Sequence, residues 1–393
     1  MTLWAKQSST DREAAVFTVG NDHLLDLALV PYDCRASMAH AEMLLSMGIL
    51  TVAERDAVFM GLKEIIALHA RGAFPVSVEH EDCHTAIEHY LTAKLGDTGK
   101  KIHACRSRND QVQAALRLFY RDEVGRLLAA AAKLTDALKL LDTTKGHIPM
   151  PGYTHMRKAM PSSVGLWAGA FLESMQDNAT LLKTAAALLD KSPLGTGAGY
   201  GLPLPVDRML TADLLGFPAL QLNSLYVQNS RGKLESSLAH ACLMVMADLN
   251  KMASDIILFS MPEFGYFTLP DSLCTGSSLM PQKRNPDALE LVRAKYHVVL
   301  AAEHQLTSVI SNLISGYHRD LQLTKQPVMD ALSVTISCLG MMASVISALD
   351  VDEASCNGAM TPELFAAKEA HMMVESGVPF REAYHRVKDA TYL

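Results

Sequence analysis

One loop of this chain gathers the residue types that a proton-abstracting site needs. In GSSLMPQKRNP, Ser277 and Ser278 follow Gly276, and Lys283 and Asn285 come within a few residues. Pro281 and Pro286 stiffen the segment, and Gly276 lets a ligand approach the backbone closely. A serine hydroxyl held beside backbone donors and an ammonium ionises more easily, so Ser277 is a candidate base or nucleophile. The competing reading is a polar loop that caps a helix starting near Pro286. Capping alone does not require Lys and Asn beside paired serines.

Three further segments carry chemistry. GYTHM sets Thr154 and His155 in a Gly- and Pro-flanked loop, where a histidine can move protons near neutral pH. RSRND places Arg108 and Asn109 just ahead of a helix. Arg108 has the fork geometry for a carboxylate, and the helix N-terminus favours an anion. Asn109 or Asp110 as a plain N-cap is an equal reading of the same spacing. GYHRDLQLTK concentrates Tyr317, Arg319, Asp320, Gln322 and Lys325 between two apolar helices, a costly arrangement unless each group finds a partner.

His80-Glu81-Asp82-Cys83-His84 fits H-E-x-x-H, which on one helix face would hold zinc with Glu81 as base. The pattern is short, and no third ligand lies at the spacing such sites use. Pro75 and the Val76–Val78 stretch put His80 at the start of a helix rather than its middle. The expectation is a partly exposed His80 and no metal.

Helices must position these segments. Leu127, Ala131, Leu134, Leu138 and Leu141 step by three and four. So do Leu234 to Phe259, Val292 to Leu313, Leu332 to Leu349, and the stretch from Ser162 to Leu189. Alternating β-type runs are hard to find. Long helices of similar length pack side by side as a bundle. Ala, Leu and Met on several faces imply burial on more than one side, and so a bundle that continues into other subunits. One large monomeric core is the plainer alternative. Composition shifts near Lys100–Arg106 and Asp350–Pro362 divide the chain into 1–105, 106–349 and 350–393, an N-terminal helical domain, a central bundle carrying most site loops and a small C-terminal helical domain.

The bulk properties exclude other classes. A net charge of -7 argues against nucleic acid as the main partner. Seven scattered cysteines without a CxxC pair, and a polar N-terminus without a signal core, read as reduced thiols in the cytoplasm. No apolar stretch is expected to reach the ~18 residues of a membrane span.

Taken together the segments resemble the fumarase/aspartase superfamily and, within it, the argininosuccinate lyases. GSSLMPQKRNP is similar to the superfamily's GSSxMPxKxNP. HACRSRNDQV, MPGYTHMRKAMPSS, SPLGTGAGYGLPLPVDRMLTADLLGF, SGYHRDLQLTKQP and EDCHTAIE resemble the lyases' own motifs, from about Leu3 through Arg381. SRND with YHRDLQ points to this member, and EDCHTAIE accounts for the zinc-like match. The chain departs from the pattern at Ala104-Cys105, where the family has Thr-Gly, at Arg157, where it has Gln, and at Ser230-Arg231-Gly232, where it has SxRD. It also stops at Leu393 inside what resembles the third domain, which leaves room for a longer tail.

The resemblance implies an all-α, three-domain fold whose central long-helix bundle forms a tetramer core, with active sites shared between subunits. It implies β-elimination of argininosuccinate to arginine and fumarate without metal or other cofactor. Ser277 would be the base, His155 the acid and Glu290 its orienting carboxylate. Lys283 and Asn285 would hold the carboxylate on which negative charge develops. Arg108, Asn109 and Thr154 would bind the succinyl part, and Tyr317, Gln322 and Lys325 the arginine part. His84 would line the site, with Ser37 and Asp26 contributing from the N-terminal region. Another fumarate-releasing lyase, such as adenylosuccinate lyase or fumarase, and a non-catalytic crystallin-like protein are the rival readings.

Overall fold

The computed structural model describes residues 12–391. The N-terminal stretch 1–11, most of the segment read for a signal core, lies outside the described residues. Helices dominate, as the 3.6-residue period requires. The chain forms two compact units: Met1–Arg126 with Leu181–Ala241 and Ala301–Leu332, and Leu127–Thr180 with Cys242–Leu300 and Ser333–Leu393.

In the first unit, α1 (Val30–Ser46) packs on α2 (Val52–Ala70). Thr51 and Glu54 cap α2 reciprocally: the Glu54 amide donates to Thr51 Oγ1 and the Thr51 amide to Glu54 Oε2. Asp82 caps α3 (Cys83–Leu95) by accepting from the Thr85 amide at 2.8 Å. A core of Ala36, Ala39, Ala114, Leu118, Leu194, Ala212, Leu215 and Phe217 joins α1 to α4 (Arg108–Lys145) and to the segment 194–217, which includes the short helix Arg208–Leu215. Small alanines at that contact let the helices approach closely, which fixes the polar groups between them.

The cap of α4 is Ser107, rather than Asn109 or Asp110. Ser107 Oγ accepts from the Asn109 amide at 3.2 Å, and Asp110 Oδ1 accepts from the Ser107 amide at 2.9 Å. Asp110 Oδ2 takes the Gly197 amide at 2.8 Å and so ties the Gly-rich loop to this helix start.

The second unit holds departures from an all-helical reading that concern the site, the longest of them a hairpin. Pro149–Thr154 (β1) pairs antiparallel with Arg157–Ser163 (β2), so GYTHM is a hairpin and the following helix, α5 (Val164–Leu189), starts two residues later than the apolar series suggests. Tyr153, Phe259, Phe264 and Tyr266 pack ring against ring beneath it. Trp167 Nε1 donates to Asp255 at 3.0 Å, linking α5 to α6 (Lys233–Phe259). α7 (Asp287–Val309) ends before Leu313, the last member of the apolar series assigned to it. α8 spans Lys325–Ala348.

α8 overturns the expectation that no apolar run is long enough to cross a membrane. Within Arg319–Ala348, an 18-residue window reaches a mean hydropathy of 1.8, which qualifies by length and composition. Its Leu332, Thr335, Leu339, Met342 and Ile346 are buried at helical spacing, whereas Ser333, Ser337, Gly340 and Ser344 are exposed between them. That one-sided pattern is that of a core helix.

Candidate active site

In the first unit a cleft of about 510 Å³ is walled by Asp22, Asp26, Asp82, His84, Arg108, Asn109, Arg231, Tyr317, Arg319, Gln322 and Lys325, among others. Seven residues expected from the sequence therefore meet in one place: Asp26 from the turn before α1, His84 from α3, Arg108 and Asn109 from the first turn of α4, and Tyr317, Gln322 and Lys325 from the turn leading into α8. Cations and carboxylates alternate on its walls, which suits a ligand carrying both charges.

Each group is held by its neighbours. Arg108 Nη2 donates to Thr85 Oγ1 at 2.8 Å and Nη1 lies 3.0 Å from Asp82. Lys325 is buried, with Nζ 2.5 Å from Asp26 and 3.3 Å from Asp22. Burial works against its charge, but the two carboxylates outweigh burial and raise its pKa above the ordinary lysine value. Burial pushes Asp22 up despite Lys325. Gln322 Nε2 donates to the Thr18 and Val19 carbonyls, and Arg319 also donates to Thr18, so this turn clasps the N-terminal segment. Arg231 stacks 4.8 Å over the Tyr317 ring, and its Nε and Nη1 find no partner among the described residues.

His84 is 4% exposed. Its Nδ1 lies 3.1 Å from Asp33 Oδ1, and Nε2 has no partner among the described residues. Burial works to lower its pKa, and Asp33, with Asp82 and Asp26 further off, reverses this to a net rise. Ser37 is fully buried beside this pair, accepting from Arg106 Nη1 at 2.9 Å, and does not wall the cleft.

Thr154, His155, Ser277, Lys283, Asn285 and Glu290 belong to the second unit. His155 (φ +54°) and Met156 (φ +58°) form the two-residue tip of the hairpin, between paired Thr154 and Arg157. Both are left-handed, as a primed turn demands. Left-handed backbone at two residues other than glycine costs energy that such turns usually avoid with Asn-Gly, and here it exposes the imidazole at the tip.

Thr275–Gly276 pairs with Arg284–Asn285, so Ser277 to Lys283 form the loop between two short strands. Ser277 Oγ accepts from the Leu279 amide at 3.3 Å and the Met280 amide at 3.1 Å. Two backbone dipoles converging on one oxygen favour its anionic form. Lys283 and Glu290 are exposed, and Ser277 and Asn285 are half-buried.

The zinc reading fails on geometry. His80 ends a short 3-10 turn, Glu81 has φ +67°, and the helix begins at Cys83, so the two histidines do not share a helix face. His80 Nδ1 is engaged by Ser77. Asp26, Cys83 and His84 do approach one another. Asp26, however, spends one oxygen on Lys325 and the other on the Cys83 amide. Burial raises the Cys83 thiol well above the usual thiol range, so it stays protonated. This donor set does not suit a cation.

Sequence reading missed Asp33, Gln111 and the placement of Arg231. A signal existed: Asp33, Ser37 and His40 recur at four- and three-residue steps on α1, and all three are buried. One departure from the family pattern has a local explanation. Gly232 sits at φ +76°, where an added Cβ would fall 2.2 Å from Ile310 Cγ2, so the family's Asp would not fit here. Cys105, in place of glycine, adopts φ +58°.

Known proteins match the chain over nearly its whole length. A family described as lyase matches residues 3–301. The argininosuccinate lyase of Thermotoga neapolitana is 46% identical over 98% of this chain and 97% of its own length. That of Sorangium cellulosum is 43% identical over 98% of this chain and 89% of its own. Among solved structures, an EDDS lyase variant with bound fumarate superposes with a TM-score of 0.82 at 26% identity, covering 97% of this chain and 76% of that one. A class II fumarase from Schistosoma mansoni shares the fold alone, with a TM-score of 0.82 at 15% identity over 96% of this chain and 88% of its own. With near-complete coverage at these identities, and with the segments that carried the resemblance in place, the chain belongs to the argininosuccinate lyase family of the fumarase/aspartase superfamily.

Proposed function

We propose that the chain cleaves argininosuccinate to L-arginine and fumarate by reversible β-elimination. The observation that carries the chemistry is the pair of backbone amides donating to Ser277 Oγ, which equips that oxygen to act as an anionic base. Ser277 takes the proton from the succinyl carbon beside a carboxylate. Lys283 and Asn285 stabilise the charge that develops on that carboxylate. As the C–N bond breaks, its electron pair leaves with the guanidino nitrogen, and His155, oriented by Glu290, supplies the proton that nitrogen needs.

Binding is divided accordingly. Arg108, Asn109 and Thr154 hold the succinyl carboxylates. Tyr317, Gln322 and Lys325 hold the arginine part, and His84 lines the site. Ser37 contributes indirectly, through Arg106. The mixed charge of the cleft supports this assignment, because the substrate carries three carboxylates and a guanidinium.

The reading extends to assembly and place. Leu291 and Val298 stand exposed on α7 and Leu166 on α5, apolar groups that a homotetramer would cover. The enzyme works in the cytoplasm, as a three-part chain divided at 1–105, 106–349 and 350–393. The test is fumarate absorbance on incubation with argininosuccinate, adenylosuccinate and malate in parallel. Fumarate from argininosuccinate alone supports the proposal. Release from one of the others, or from none, overturns it.

A further inference from the structure

Among the described residues, the cleft contains one imidazole whose two nitrogens face different ways. His84 Nδ1 lies 3.1 Å from Asp33 Oδ1. Nε2, buried and without a partner, belongs to a residue that walls the cleft. Asp33 is 0% exposed and cannot touch a ligand. Its carboxylate is fixed: Gln111 Nε2 donates to both oxygens, at 2.9 and 3.0 Å. Gln111 is itself buried on α4, one turn inside the Ser107 cap, so the backbone that carries Arg108 and Asn109 also sets the Asp33 carboxylate. A rigid carboxylate opposite Nδ1 fixes both the ring plane and the proton on that nitrogen.

We propose that Asp33 is a positioning residue for His84: held by Gln111, it keeps the ring an imidazolium whose Nε2–H points into the cleft as a charged donor to a carboxylate of the substrate. This rests on the lyase reading only for the identity of that substrate. A neutral His84 with its proton on Nδ1 would present a lone pair at Nε2 and repel the same carboxylate. The Asp33 contact therefore decides whether His84 attracts or excludes an anionic ligand. A charge-assisted bond of this kind is stronger than a neutral one.

The surrounding charges agree. Facing the ring are Asp33 from α1, Asp26 from the turn before it, and Asp82 and Cys83 from its own segment. The nearby cations are engaged with these acids: Arg106 acts on Asp33, Arg108 on Asp82, and Lys325 on Asp26. Asp33 stays ionised; burial opposes this, but His84 and Arg106 overcome it and hold its pKa below the usual value. Because the His84 pKa is raised above the ordinary imidazole value, the imidazolium persists to higher pH than in a free histidine and is lost as pH rises through that raised value.

The experiment uses the intact protein with histidine labelled at the ring nitrogens and Cε1, and fumarate as the probe. In the wild type at pH 7.5, both His84 nitrogens should carry protons, and fumarate should shift Nε2 more than Nδ1. In Asp33→Asn the ring should be neutral at pH 7.5. The fumarate dissociation constant should rise about tenfold there, and the loss should shrink as pH falls and the ring, its pKa lowered by burial once Asp33 is gone, takes up a proton. With argininosuccinate, KM should follow the same pH dependence while kcat changes less. A neutral His84 in the wild type at pH 7.5 overturns the proposal and needs no variant to fold. So does a loss in Asp33→Asn that is the same at every pH, which is what a merely structural role gives. If fumarate binding behaves as expected but argininosuccinate is not cleaved, the positioning role stands and the assigned substrate falls.

Discussion

Replacing Lys325 by methionine should cost about 3–5 kcal/mol of stability, the range for breaking a buried ion pair from one side. Lys325 is 5% exposed, and its ammonium lies between Asp26, 0% exposed, and Asp22. Methionine fills a similar volume, so little of the loss should come from a cavity. The loss comes instead from leaving a carboxylate buried without its cation. The pH dependence separates the two causes. In the wild type the raised pKa of Lys325 keeps its contribution whole below the unfolded lysine value, and the contribution fades only as pH rises through the folded one. In Lys325→Met the orphaned carboxylates gain affinity for protons in the folded state alone. Stability then falls as pH rises above the unfolded carboxylate value, by about 1.4 kcal/mol per unit while the folded groups take up a proton. Urea unfolding at fixed protein concentration, at pH 5 and pH 7.5, measures both quantities. The double variant Asp26→Asn, Lys325→Met should recover part of the loss at pH 7.5. A cost under 1 kcal/mol, or one independent of pH, would refute the view that this cluster is held by compensation of buried charge.

Four further outcomes are expected. Ser277→Ala should abolish fumarate release while circular dichroism and substrate binding stay close to wild type, whereas Lys283→Ala should lose turnover and also weaken binding; near-normal turnover in a folded Ser277→Ala removes serine as the base. His155→Asn should slow arginine departure more than proton abstraction, so deuterium exchange at the succinyl carbon should outlast arginine release in the variant. Light scattering should report a homotetramer, and a stable active monomer would contradict the covering assigned to Leu291 and Val298. Burial raises Asp110 to about 6 in the folded state, so it should contribute stability below the unfolded carboxylate value that is lost as pH rises toward 6; Asp110→Asn, followed by thermal unfolding from pH 4 to pH 7, should lack that slope.

The sequence by itself determined the helices and, through the segments that carry the resemblance, the family. Leu234 to Phe259 reads as a helix because the period of burial is local, and every third or fourth residue reports the same face. Ser-Arg-Asn-Asp at 107–110 carries its own cap, although the spacing did not say that Ser107 rather than Asn109 would be the capping residue. The hairpin at 149–163 was not legible. Three prolines disguise its strands, and its turn uses His155 and Met156 in a conformation whose local signal is Asn-Gly. Only the tertiary structure decided which cation meets which acid. His84 and Lys325 stand out in sequence as single residues, but their partners Asp33 and Asp26 lie far off along the chain, and nothing in local spacing encodes such a pairing. Whether a buried histidine is a donor or an acceptor depends on the carboxylate packed against it. That is fixed where α3 brings His84 against Asp33 of α1 and α4 brings Gln111 to the same carboxylate, a property of the fold and not of any one segment.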